Sequence, residues 1–155
     1  MTPLPIRQAV STADLVHARS LFEEYAAWLA VDLCFQNFAE ELATLPGKYA
    51  PPLGRLFLAG EDPIGCIALR PLDDAGIGEV KRLYVRPAAR GTGLGQALVE
   101  TLLSHARAIG YRELRLDTAD WMQDAVRLYT RLGFVECSPY YHNPMPGAVY
   151  MARTL

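Results

Sequence analysis

The sequence predicts an α/β protein of the α+β type, built on a mixed, mostly antiparallel central sheet of about seven strands with helices on both faces. The first reason is the order of periodic segments, which runs strand, two helices, three strands, helix, strand, helix, two strands. The second is the kind of connection. Short Gly- and Asp-rich turns join the three middle strands into a meander, whereas amphipathic helices separate the later strands as crossovers. The third is size and balance. A chain of 155 residues with 51% hydrophobic and 21% charged residues can bury one real core and is not disordered. No repeat, linker or low-complexity tract divides it, so residues 1–155 read as a single domain.

Ile6 to Val10 is a short first strand, and Ser11-Thr12-Ala13-Asp14 has the spacing of a capping box. Leu15, Ala18, Phe22, Tyr25 and Leu29 then recur at helical spacing. Phe35, Phe38 and Leu42 predict a second helix, ended by Leu45-Pro46-Gly47. Arg55 to Ala59, Ile64 to Arg70 and Glu79 to Val85 are the meander strands, with turns at Gly60-Glu61-Asp62-Pro63 and Asp73-Asp74-Ala75-Gly76. Leu94, Leu98, Leu102, His105 and Ile109 mark a long amphipathic helix stopped by Gly110. Tyr111 to Thr118 is a strand, followed by a helix from Asp120 or Gln123 to Leu132 that Gly133 ends. Val135 to Cys137 and Ala148 to Arg153 close the sheet.

The formal charge of −2 argues against nucleic acid as a partner, because that function needs clustered Lys and Arg. No apolar run approaches the roughly 20 residues of a membrane span, and the start has no signal-peptide pattern. Cys34, Cys66 and Cys137 are odd in number and far apart, which fits a reducing cytoplasm rather than a disulfide framework or a zinc site. His17 and His142 fit no metal-ligand spacing, so no metal is expected.

The strongest chemical signal is Arg90-Gly91-Thr92-Gly93-Leu94-Gly95, between a strand and a long helix. Glycines permit positive φ and close approach of a ligand to the backbone. The unpaired N–H groups and dipole of a helix start attract phosphate. Gln96 stands where a dinucleotide fingerprint needs glycine, and no Lys follows as in a P-loop. On spacing alone, a plain strand-to-helix turn remains the other reading.

These residues resemble the GNAT superfamily of acyl-CoA-dependent N-acetyltransferases, whose (Arg/Gln)-x-x-Gly-x-(Gly/Ala) signature Arg90, Gly93 and Gly95 match in register. The preceding Val80-Lys81-Arg82-Leu83-Tyr84-Val85-Arg86-Pro87 is similar to the family's fourth strand. Ala125-Val126-Arg127-Leu128-Tyr129-Thr130-Arg131-Leu132-Gly133-Phe134 is similar to its A-x-x-L-Y-x-x-x-G-F segment. The likeness is specific from Glu79 to Phe134 and loose elsewhere. Met122 departs from it, standing where the family often has Asn, so no contact of that Asn is carried over.

The resemblance implies an acetyltransferase that moves an acetyl group from acetyl-CoA to a primary amine by direct transfer in a ternary complex. Its cofactor loop would be Arg90, Gly91, Thr92, Gly93, Leu94, Gly95 and Gln96. The pantetheine arm would pair like an extra strand along Leu83, Tyr84 and Val85. An alkyl amine is neutral in roughly one molecule per few thousand at pH 7, so a proton acceptor is needed. Glu79 occupies the position of the family's glutamate base; a strand charge paired with Lys81 is the other reading. Tyr129 matches the tyrosine that protonates the leaving thiolate, against a reading as a core residue. Lys81, Arg82, Arg86 and Arg90 together could meet a cofactor phosphate. The acceptor, a small molecule or peptide, would lie across the sheet against Trp28, Phe35, Gln36, Phe38, Glu40, Glu41 and Tyr140 to Asn143; core aromatics and solvated glutamates are the other reading. Family members are often dimers, which makes a homodimer an expectation. A catalytically silent acyl-CoA-binding domain is the alternative function.

Overall fold

The computed structural model describes residues 4–29, 33 and 37–155 of the chain. Phe35 and Gln36, expected near the second helix and the acceptor, and Cys34 lie outside the described residues. Strand β1 spans Ile6–Gln8, and helix α1 spans Thr12–Leu29. The capping box forms. The Ser11 hydroxyl accepts the Asp14 N–H at 3.1 Å, and the Asp14 carboxylate accepts the N–H groups of Val10 at 3.2 Å and Ser11 at 3.4 Å. Arg7 on β1 also donates to Asp14, tying the helix start to the sheet. That hydrogen bond, against the opposing effect of burial, lowers the Asp14 pKa to about 2.

Helix α2, Phe38–Thr44, is followed by the meander β2 (Arg55–Ala59), β3 (Gly65–Pro71) and β4 (Ile77–Val85). Helix α3 runs Leu94–Ile109, β5 Glu113–Ala119, α4 Gln123–Arg131, β6 Val135–Glu136 and β7 Ala148–Thr154. The seven strands lie in the order β1-β2-β3-β4-β5-β7-β6. Every neighbouring pair is antiparallel except β4 with β5, which α3 connects as a crossover. The expected mixed, mostly antiparallel sheet is therefore present. Strand ends move by up to two residues from the expectation. Ile77 and Gly78, for example, continue β4 beyond its apparent start at Glu79.

One face of the sheet packs against α3 and α4 through Phe57, Ile67, Leu69, Leu114 and Leu116, which meet Leu98, Leu102 and Phe134. The other face packs α1 over Leu56, Leu58, Cys66 and Ala68 through Ala18, Leu21 and Phe22. Each fully buried Leu or Phe contributes about 1.5–3 kcal/mol, so both layers are needed to hold the sheet.

Two irregularities in β4 shape the groove beside it. Cys66 pairs with Tyr84 and Ala68 with Lys81, so β4 carries one extra residue opposite β3. The bulge places Arg82 at φ 61, rare for a residue with a side chain. Glu41 of α2 grips its guanidinium at 2.9 and 3.0 Å, and its carbonyl accepts the Cys66 thiol at 3.2 Å. The second irregularity is that pairing with β5 covers only Ile77, Gly78 and Glu79. Beyond Glu79 the two strands part.

Candidate active site

The glycine loop closes against the mouth of that parting. Gly93 caps α3 at φ 84, and Gly91 sits at φ 78. A Cβ added at either would meet nothing within 4 Å, so both line open space that a side chain would fill. No side chain caps the helix. Among the described residues no acceptor takes the main-chain N–H groups of Gly91 to Gln96. A row of free donors on a helix start, next to empty space, fits a pyrophosphate. Thr92 is occupied locally, its hydroxyl donating to the Ala89 carbonyl at 2.6 Å. Gln96 bridges Glu100 and Arg131 at 3.0 and 3.1 Å, so its side chain braces the helix, and only its N–H is left to a ligand.

The basic run does not act as a unit, contrary to the expectation. Arg82 is paired with Glu41, Arg86 with Glu24, and Lys81 lies 3.7 Å from Glu79. Three of the four cations are thus matched by carboxylates of α1, α2 and β4. Arg90 alone remains beside the glycines. Its Nε donates to the Val85 carbonyl at 3.0 Å, and its guanidinium lies 4.9 Å from the Trp28 ring centre. Trp28 in turn lies 5.9 Å from Trp121, so these exposed tryptophans stand together at the rim.

The opening between β4 and β5 holds a cavity of about 50 Å³ lined by Lys81, Leu83, Asp117, Met122, Tyr129 and Asn143, among others. Because the bulge resets the strand's alternation, Leu83 packs toward α3, whereas Tyr84 is buried toward α1. Tyr129 enters from α4, 6% exposed, with its ring edge-on to Phe134 at 5.5 Å. Burial pushes its hydroxyl far above the ordinary range, so it stays protonated and can donate. Met122 takes the helix-cap position without a capping side chain, and its sulfur accepts the Thr118 hydroxyl at 3.5 Å.

Glu79 points to the other side, and its side chain has no exposed surface. Arg70 donates to Oε1 at 2.7 Å and the Tyr140 hydroxyl to Oε2 at 2.5 Å. Burial alone would raise its pKa. The charges of Lys81 and Arg70 and the hydrogen bonds from Tyr140 and Arg70 outweigh it, and the carboxyl is held below its ordinary value. Tyr140 shifts the opposite way, raised by burial and by the Glu79 charge. A second carboxylate, Asp117 on β5, accepts from Tyr141 and from Asn143 at 2.6 Å. The loop before β7 therefore delivers Tyr140, Tyr141 and Asn143 onto two strand carboxylates.

A larger cavity of about 410 Å³ lies beneath α2, lined by Glu40, Glu41, Lys48, Tyr49 and Arg70. It is connected in charge to the strand site, since Arg70 holds Glu79 and Glu41 holds Arg82. Phe38 lies under the Arg82 guanidinium at 5.1 Å, and His142 is exposed. Arg70 and Asp117 were missed in the sequence. The available signal for Arg70 was a lone charge on an otherwise apolar strand; Asp117 is one of three charges on β5 and had no such signal. His105, expected as a core or boundary residue, is half-buried against Phe57 at 4.8 Å. Among the described residues no group of three or more His, Cys, Asp or Glu side chains could hold a metal ion.

Sheet order, bulge, parted strands and glycine loop together define an acyltransferase fold. Within that class the chain belongs to the acetyltransferase (GNAT) family, which residues 18–134 match. It is 43% identical over 141 residues to an uncharacterised N-acetyltransferase of Schizosaccharomyces pombe, covering 89% of this chain and 86% of that one. It is 30% identical to another from Dictyostelium discoideum, covering 90% and 92% of the two chains. An acetyltransferase from Streptococcus agalactiae has the same fold, with a TM-score of 0.81 over the full length of both chains at 21% identity.

Proposed function

We propose that this enzyme transfers an acetyl group from acetyl-CoA to a primary amine, of a small molecule or a peptide, by direct attack in a ternary complex. The observation that carries the reading is the parting of β4 from β5 beside a helix start whose donors are free. Main-chain groups of Gly91 to Gln96 would hold the pyrophosphate, and the edge of β4 along Leu83, Tyr84 and Val85, beyond its last pair with β5 at Glu79, would take the pantetheine amides. Acetyl-CoA then supplies an activated carbonyl at the strand opening. The residues fit that donor, because Gly91 and Gly93 leave the approach clear.

The amine attacks from the α1 and α2 side of the sheet. As the C–N bond forms the nitrogen becomes acidic, and its proton passes to Tyr140 while Tyr140 gives its own to Glu79. Burial of Glu79 and its 2.5 Å bond from the Tyr140 hydroxyl support such a relay. A carboxylate held below its ordinary pKa is ionised at working pH and can accept a proton, as a weaker base than a free glutamate. Tyr129 protonates the departing thiolate. Free Cys66 and Cys137 suit the reducing cytoplasm in which we place the reaction. No helix among the described residues is long and apolar enough to cross a membrane.

The test is release of thiol from acetyl-CoA over a panel of primary amines, with binding followed by thermal shift. Amine-dependent release is expected. Binding of acetyl-CoA with no release on any amine would instead favour a silent acyl-CoA-binding domain.

A further inference from the structure

The chain contains only two lysines, Lys48 and Lys81. Lys48 is exposed beside the cavity under α2, whereas Lys81 is 8% exposed and lines the opening between β4 and β5. The strand register shows how that comes about. Glu79 with Arg115 is the last pair of the parallel ladder. Lys81 and Asp117 each lie two residues further, the first positions on this face where the strands no longer meet. Tyr129 lines the same cavity. A primary amine of the protein therefore sits at the point where acyl transfer is placed.

We propose that Lys81 is itself an acceptor, and that the protein acetylates its own Lys81 when no other amine competes. The inference rests on the reading of acetyl-CoA as donor. Neutral Nζ attacks the thioester carbonyl carbon, the C–N bond forms and the C–S bond breaks. The sulfur leaves as thiolate and takes up the proton that the nitrogen sheds. The products are acetyl-lysine and free coenzyme A, with no further reactant.

The surroundings favour a reactive amine. Nζ is 3.7 Å from the nearest Glu79 oxygen, beyond hydrogen-bond length. The charged groups facing it are Glu79 on its own strand, Arg82 at the bulge, Arg70 on β3 and Asp117 on β5. Two carboxylates and two guanidiniums nearly cancel, so burial dominates and lowers the pKa of the ammonium. Acetylation would replace a buried cation by an amide in a cavity of about 50 Å³ and leave Glu79 with one charge partner fewer. Modified enzyme should turn over more slowly, which makes the reaction self-limiting.

Purified protein is incubated with acetyl-CoA and no amine, quenched, and mapped by peptide mass spectrometry, with a urea-unfolded sample in parallel. In folded protein, acetylation of Lys81 should exceed that of exposed Lys48 by about tenfold or more, as held proximity demands, and unfolding should abolish the preference. Lys81→Arg, checked by its melting temperature, should remove the label. Acetylation of Lys48 equal to or above that of Lys81 in folded protein overturns the proposal. So does unmodified Lys81 in a preparation that binds acetyl-CoA and acetylates an added amine, and that outcome leaves the proposed function standing. Failure to bind acetyl-CoA at all overturns both.

Discussion

Replacing Gly93 separates the cost of backbone strain from the cost of a blocked ligand. Gly93 sits at φ 84, and an added Cβ would touch nothing within 4 Å. Gly93→Ala therefore introduces no clash in the free protein. It costs only the left-handed strain of a residue with a Cβ, about 1–2 kcal/mol. For a chain of this size that lowers Tm by roughly 2–8 °C. Gly93→Val adds a β-branched side chain and more strain. Acetyl-CoA meets a different obstacle, because the methyl fills the space through which a pyrophosphate must reach the free N–H groups. Affinity by calorimetry should fall at least tenfold, about 1.4 kcal/mol. Gly110 is a matched control. It ends the same helix at φ 110, also with nothing within 4 Å of an added Cβ, but far along α3 from the loop. Gly110→Ala should lose similar stability and no affinity. Equal acetyl-CoA affinity in Gly93→Ala and Gly110→Ala would refute the assignment of the loop.

Tyr129→Phe should leave acetyl-CoA binding nearly intact and lower kcat, with a deficit that shrinks above roughly pH 8.5, where a thiol can leave unprotonated. A deficit constant across pH would exclude the proton-donor role. Glu79→Gln should slow turnover by about 10²–10⁴-fold, recovering as pH rises and free amine accumulates; Tyr140→Phe should show the same profile, and near-normal turnover in either would break the relay. Glu41→Ala strips the partner from Arg82, whose side chain is 2% exposed, and should cost about 3–5 kcal/mol in chemical denaturation. Asp14→Ala should cost about 1 kcal/mol for the lost cap. Because its folded pKa, about 2, lies below the ordinary 3.8, the Asp14 contribution is complete above the unfolded value and is lost as pH falls toward 2. The gap between wild type and Asp14→Ala should therefore close in acid unfolding.

Much of the fold was legible because its punctuation is chemical. Helix α3 begins at Leu94 and ends at Ile109 as expected, since Gly93 and Gly110 both take left-handed caps. Strand β2 likewise matches residue for residue. Boundaries drifted where turn residues join a ladder, as Ile77 and Gly78 do when they pair with β5. The turn at Gly91 and Gly93 into a helix start was legible from the glycine spacing alone, and both residues take positive φ there. The environment of Glu79 was not. Arg70, Tyr140 and Lys81 converge on it from β3, from the loop before β7 and from β4 itself. That convergence depends on strand order and register and on where the loop before β7 returns Tyr140 to the sheet, none of which has a short-range signature. The basic run looked like a phosphate patch in sequence, but Lys81, Arg82 and Arg86 are matched to carboxylates of β4, α2 and α1, and Arg90 alone stays beside the glycines.

Hydrogen–deuterium exchange of the enzyme with and without acetyl-CoA tests directly whether the donor occupies the parted strands. Slowed exchange is expected at the amides of Gly91 to Gln96 and along Leu83 to Val85, with β1 and β2 unchanged. Saturating acetyl-CoA that leaves both segments exchanging as in the free enzyme would contradict the placement of the donor between β4 and β5.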